Sequence, residues 1–229
     1  MRARLQANPD RLHVALMLAL TFSTGIIDAV GYLGLDRVFT GNMTGNVVIL
    51  GMALTGADDL PVLGPIIALA LFLFGALVAG RTLRKKPAGW STQTTALFGV
   101  VGLVLAASAV VAFVVGEDRP EWVALTITGA LGFAMGLQAG SARQIGVKDV
   151  TTVVVTSTLV GLAFDSRFGG NAKQQWFRRA GSVVLIGVGA TVGALLLHVH
   201  VGLGMAVAAL ITLIAAALGH IGKPHPVAG

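Results

Sequence analysis

The chain has 229 residues, 55% of them hydrophobic and 11% charged, with a net charge of +6. Soluble domains carry about 25% charged residues, so a chain with a mean hydropathy of +0.84 lacks the polar surface to dissolve. It contains no cysteine, which excludes disulfides, thiol catalysis and cysteine-held metal or iron–sulfur centres.

Apolar runs of membrane-spanning length recur along the chain and leave no room for a separate soluble domain. The first predicted helix is Arg11–Leu35, followed by a shorter apolar segment, Met43–Thr55. Long helices follow at Pro61–Thr82, Thr92–Gly116 and Glu121–Ala142. A second short segment, Val150–Phe164, precedes the last two long helices, Trp176–His198 and Val201–His220. At about 1.5 Å per residue the long helices can cross a ~30 Å hydrocarbon core, and the short segments barely can. The expected fold is an all-α polytopic membrane protein with six transmembrane helices and two short or re-entrant segments. It forms one integral membrane domain over 1–229.

The basic residues set the expected orientation. Arg2, Arg4 and Arg11 lead the chain, Arg81, Arg84, Lys85 and Lys86 follow the Pro61–Thr82 helix, and Arg143 and Lys148 follow the Glu121–Ala142 helix. Arg167, Lys173, Arg178 and Arg179 surround the start of the Trp176 helix, and Lys223 lies in the tail. The alternate connections, "GADDLP" (56–61), "GEDRPE" (116–121) and "HVHVG" (198–202), are acidic or nearly free of basic residues. The positive-inside rule therefore places both termini in the cytoplasm, with only Arg37 and Arg119 outside. The basic pI near 10.5 is then a topology signal and does not point to nucleic acid. Trp90, Trp122 and Trp176 each open a long helix, as an interfacial belt requires.

This topology gives residues 12–55 one net crossing, enough for a full helix plus a segment that enters and leaves on one side. Residues 121–164 show the same excess. Setting "LGLDRVFTGNMTGNVV" (33–48) above "IGVKDVTTVVVTSTLV" (145–160) aligns five identities in sixteen, at an offset of 112. "GALVAG" (75–80) aligns with "GATVGA" (189–194) once two residues are inserted. Two halves, 11–116 and 121–220, each read as long helix, short segment, long helix, long helix. Three crossings per half make the second half inverted relative to the first, an arrangement that recurs in transporters.

The stretch "FTGNMTGNVVIL" (39–50) is unusual between apolar runs. Non-helical backbone at membrane depth survives only where protein buries it or water lines it. Gly41 and Gly45 permit a sharp turn or close packing, and Asn42, Thr44 and Asn46 can cap the free N–H groups of the short segment. A half-helix beginning inside the bilayer points partial positive charge there, which suits an anionic or strongly dipolar solute. In the second half Thr152, Thr156 and Thr158, with Thr151 and Ser157, supply hydroxyls. Asp28 is the one acid within a predicted span, and an intramembrane carboxylate is a functional candidate by default. Its alternative is an interfacial or capping role. The candidate pathway residues are thus Asp28, Asn42, Thr44, Asn46, Thr152, Thr156 and Thr158.

Other features read as structural. Gln138, Thr126 and Thr128 suit interhelical hydrogen bonding, and Gly132, Gly136 and Gly140 form a small-residue stripe for packing within the bundle or across a dimer. His198 and His200, two apart, fall on different helix faces and have no third ligand nearby, so no metal is expected. Without a P-loop, GxSxG or HExxH, no enzyme activity and no cofactor are expected. No A-x-A cleavage site follows the first apolar run, so that helix is expected to stay in the mature protein.

"GIIDAVGYLGLDRVFTGNMTGNVVILGMAL" (25–54), "DVTTVVVTSTLVGLA" (149–163) and "WFRRAG" (176–181) resemble the YoaK-like family of bacterial membrane proteins, a domain-of-unknown-function family. The resemblance covers nearly the whole chain. It implies a bacterial inner-membrane protein of about six spans and hints at small-molecule export, without an established substrate. Two functions compete. One is a transporter or channel-like exporter with a pathway for an unidentified small solute at the two short segments. The other is a membrane scaffold or regulator whose polar residues serve packing.

Overall fold

The computed structural model describes residues 9–147, 155–166 and 176–223. Its first helix, α1 (Pro9–Gly31), continues into a π-helical turn, Tyr32–Asp36. A short helix, α2 (Met43–Ala53), precedes α3 (Leu63–Leu83), α4 (Thr92–Val115) and α5 (Glu121–Ile145). The second short helix, α6 (Val155–Phe164), is followed by α7 (Trp176–Leu197) and α8 (Val201–Gly222). Six of these helices are long and apolar enough to cross a membrane, and α2 and α6 are not.

Glycines set the helix pairs. On α1 and α7, a Cβ added to Gly25 would strike the Ile186 carbonyl, and one on Gly189 would strike the Phe22 carbonyl. Further along, a Cβ on Gly193 would lie 2.7 Å from the Ile26 carbonyl oxygen, so α7 runs parallel to α1. The α3–α5 pair repeats the device. A Cβ on Gly136 would strike the Phe72 carbonyl, and one on Gly75 the Phe133 carbonyl. The stripe Gly132, Gly136 and Gly140 is therefore seated inside the bundle, against Ala68, Phe72 and Ala76 of α3. Without side chains in the way, backbones approach closely, and dispersion can hold helices in lipid where no hydrophobic drive exists. The remaining long helices, α4 and α8, pack antiparallel, with Gly202 against Ala109 and Phe113. The α1–α8 and α4–α5 contacts then close the bundle.

These crossings predict a sharp contrast between neighbouring glycines. Gly25→Leu and Gly136→Leu should each lower stability by at least about 1–3 kcal/mol, the range for overpacking a filled site. Gly187 meets nothing within 4 Å, so Gly187→Leu should stay within about 0.5 kcal/mol of the parent. Melting temperatures in one detergent check the contrast.

The bundle has a basic end and an acidic end. At the basic end the start of α1, the α3–α4 connection, the end of α5 and the end of α8 come together. The His13 ring stacks on Trp90 at 5.9 Å, Gln144 Nε2 donates to the Lys86 carbonyl at 2.8 Å, and Lys223 Nζ donates to Thr92 Oγ1 at 2.8 Å. At the acidic end Arg119 donates to the Gly34 carbonyl at 2.7 Å and Arg37 to the Asp58 carbonyl at 3.4 Å. The His200 ring stacks on Phe113 there, with Nε2 3.9 Å from Glu117. Among the described residues Arg37 and Arg119 are the basic side chains at this end, beside Asp36, Asp58, Asp59, Glu117, Asp118 and Glu121. Trp90 departs from the expected belt. It is 5% exposed, packed against Phe98 and hydrogen-bonded to Thr95 Oγ1, whereas Trp122 is 69% exposed.

Candidate functional site

The site begins where α1 ends. Asp36 and Arg37 take positive φ values of 110° and 53°, a conformation that non-glycine residues rarely adopt, and there the chain reverses. Val38 N–H then donates to the Gly31 carbonyl at 3.4 Å, so residues 38–41 run back along α1 toward the interior. Asp28 waits there, two helical turns below Asp36 and so about 12 Å deeper. Its Oδ1 accepts the backbone N–H groups of Gly41 (2.7 Å), Thr40 (3.0 Å) and Asn42 (3.3 Å).

Both asparagines of the stretch then fix the start of α2. Asn42 is its N-cap and accepts Gly45 N–H at 3.3 Å. The buried Asn46 amide pairs with the backbone of Phe39, accepting its N–H at 2.9 Å and donating to its carbonyl at 2.6 Å. The two glycines are needed for closeness. A Cβ on Gly41 would press on Thr24 and the Asp28 carboxylate, and one on Gly45 on the Phe39 ring. The polar stretch is thus an entry turn held in place by Asp28, which satisfies the backbone N–H groups of Thr40, Gly41 and Asn42. From it α2 rises about 16 Å back to the acidic end, where the next loop meets Arg37.

The second short helix approaches from the opposite end. Arg179, in the first turn of α7, donates to the Gly161 carbonyl and to Asp165 Oδ2, both at 2.6 Å, which ties the end of α6 to the basic end. The start of α6, Val155 and Thr156, meets the start of α2 across a cavity of about 550 Å³. Thr24, Asp28, Asn42, Thr44 and Thr156 form its polar lining. The rings of Tyr32 and Phe39, stacked at 4.8 Å, form an aromatic wall. Val48, Ile49 and Ile186 supply aliphatic surface. Behind Thr24, Gln138 Nε2 donates to Thr24 Oγ1 at 2.8 Å and links α5 to this wall. No Lys, Arg or His is among the described lining residues.

Of the residues singled out from the sequence, Asp28, Asn42, Thr44 and Thr156 line this one cavity. Asn46 does not; its amide is turned away and paired to Phe39. Thr158 is buried on α6 and is not among the lining residues. Thr152 and Thr151, where the second segment was expected to break, lie outside the described residues. Sequence reasoning missed Thr24, Tyr32 and Phe39. Thr24 lies one helical turn before Asp28 on the same face, and Tyr32 is the chain's only tyrosine, so a face plot around Asp28 could have found both.

Six apolar spans, with two half-length helices whose starts meet at a cavity, define a polytopic α-helical membrane protein. Residues 16–218 match the family described as protein of unknown function (DUF1275), and the chain belongs to that family. It is also similar to the UPF0700 transmembrane protein YoaK of Bacillus subtilis (strain 168). The two are 30% identical over 188 residues, covering 79% of this chain and 82% of the relative. No solved structure matches the chain.

Proposed function

We propose that the protein is a small-molecule carrier of the bacterial inner membrane, an exporter-like protein whose central site is the cavity between α2 and α6. The single observation that carries the reading is that two half-length helices begin at one cavity of mixed polar and apolar lining and end at opposite ends of the bundle. Irregular backbone at depth survives where it lines a water-filled space, and carriers built from inverted halves use such a place for the solute.

Helix packing supports the two inverted halves. Exchanging α1 with α5, α2 with α6, α3 with α7 and α4 with α8 turns the α1–α7 contact into α5–α3 and the α1–α8 contact into α5–α4. Gly25 against Ile186 corresponds to Gly136 against Phe72, and Gly189 against Phe22 to Gly75 against Phe133. In this register "LTFSTG" (20–25) lies on "LGFAMG" (131–136). The charge asymmetry supports cytoplasmic termini, with the basic end inward. The protein acts without chemistry on its solute.

A scaffold role has its own support, since Asp28 Oδ1 and the Asn46 amide are committed to backbone hydrogen bonds. Purified protein in liposomes separates the two. A carrier moves at least one member of a panel of small amines, acids and neutral solutes faster than protein-free vesicles do. A scaffold moves none, with or without a pH gradient.

A further inference from the structure

We infer that the cavity takes a small organic cation, a protonated amine on an aromatic or aliphatic body, with Asp28 as its counter-charge. This deepens the carrier reading and rests on it. Asp28 carries the only formal charge among the described lining residues, is 8% exposed, and receives all three backbone bonds on Oδ1. No hydrogen bond from the described residues reaches Oδ2, so one oxygen of a nearly buried carboxylate is left for a donor in the cavity. An ammonium group supplies that donor and the opposite charge together.

The positive end of α2 does not reverse this preference. The entry N–H groups of Asn42 and Gly45 are taken up by Asp28 Oδ1 and the Asn42 side chain, so part of the helix dipole already serves the carboxylate. An anion entering the cavity meets a carboxylate and no cationic side chain. The helix end alone suits an anionic or strongly dipolar solute, and the carboxylate beside it favours a cation. Tyr32 and Phe39 add aromatic rings to the cavity wall, a surface that attracts a cation, and Val48, Ile49 and Ile186 receive an apolar body.

A proton competes for the same oxygen. Tyr32 is the other titratable lining residue, and the residues that α2, α6 and α7 contribute to the cavity are uncharged. The polar groups that α5 and α8 set against α1 here, Gln138 and Thr212, are uncharged too. Cation affinity therefore falls as Asp28 takes up a proton.

Three probes of similar size test this in nanodiscs by calorimetry: benzylammonium, benzyl alcohol and benzoate. Benzylammonium should bind at least ~10-fold more tightly than benzyl alcohol, with benzoate weakest. Its affinity should fall once the pH is lowered into the ordinary range of carboxylate protonation, near about pH 4, where the ammonium keeps its charge, while benzyl alcohol binding stays level. Asp28→Asn should abolish the preference for the cation. Because Asp28 also holds the entry turn, Tyr32→Leu serves as a second variant and should weaken benzylammonium about 3- to 10-fold. Tighter binding of benzoate, no binding of benzylammonium by folded protein, a pH-independent affinity or full affinity in Tyr32→Leu would each overturn the inference. Binding of benzylammonium without its movement across liposomes would remove the carrier reading and leave the cation site standing. Movement of a solute of another charge, with no cation binding, would do the reverse.

Discussion

Asp28→Ala should give the lowest folded yield and melting temperature of any single substitution at the cavity. Alanine leaves the N–H groups of Thr40, Gly41 and Asn42 without their shared acceptor. Hydrogen bonds to a charged partner contribute about 1.5–3 kcal/mol each; the two shorter ones should reach that range and the third, at 3.3 Å, less. The loss is up to several kcal/mol, less whatever water entering from the cavity restores. Asp28→Asn keeps an acceptor oxygen of nearly the same shape and should retain the fold while losing the charge. Asn46→Leu acts on the same turn from its other side, stranding Phe39 N–H and carbonyl, and should cost less than Asp28→Ala. Thermal unfolding of the three variants in one detergent orders them. A parent-like melting temperature for Asp28→Ala would show that the carboxylate does not hold the turn.

The largest effect on activity with the fold intact is expected from filling the cavity. Thr44 and Thr156 are exposed to it from opposite walls, one at the start of α2 and one at the start of α6. Among the described residues neither side chain makes a tertiary hydrogen bond, so replacing it strands no described partner. Thr44→Trp and Thr156→Trp should each reduce solute movement in liposomes by at least ~10-fold and shift stability by no more than about 1 kcal/mol. Leu54→Trp, at the far end of α2 and 74% exposed, should leave movement unchanged. Full movement in both cavity variants would show that solute does not pass between the two short helices.

Much of the architecture is legible in the residues. The long helices are written in runs of apolar residues, and their predicted limits fall within a few residues of the observed ones. The break at Gly41–Asn42 is legible because asparagine and glycine carry local, short-range instructions. Asp28 is harder. Its rarity in a span marks it as important, but its partners lie 12 to 14 residues on, across a chain reversal made by Asp36 and Arg37 in conformations their side chains do not advertise. Nothing local says that Asn46 pairs with Phe39, because an amide that lines a cavity and one that pairs with backbone look alike in sequence. Trp90 misled for a related reason. A tryptophan before a helix fits an interfacial belt, and only packing on His13 and Phe98 reveals a buried indole.

The central claim is that α2 and α6 enter from opposite faces and meet in the middle. Single cysteines are a clean probe, since the chain has none of its own. Leu54 lies just beyond the outer end of α2, and Phe164, 77% exposed, is the last residue of α6. With an impermeant thiol reagent on intact cells and on inverted vesicles, Leu54→Cys should label only from the periplasmic side. Phe164→Cys should label only from the cytoplasmic side. Labelling of both from the same face would contradict the inverted pair and, with it, the cavity as a pathway.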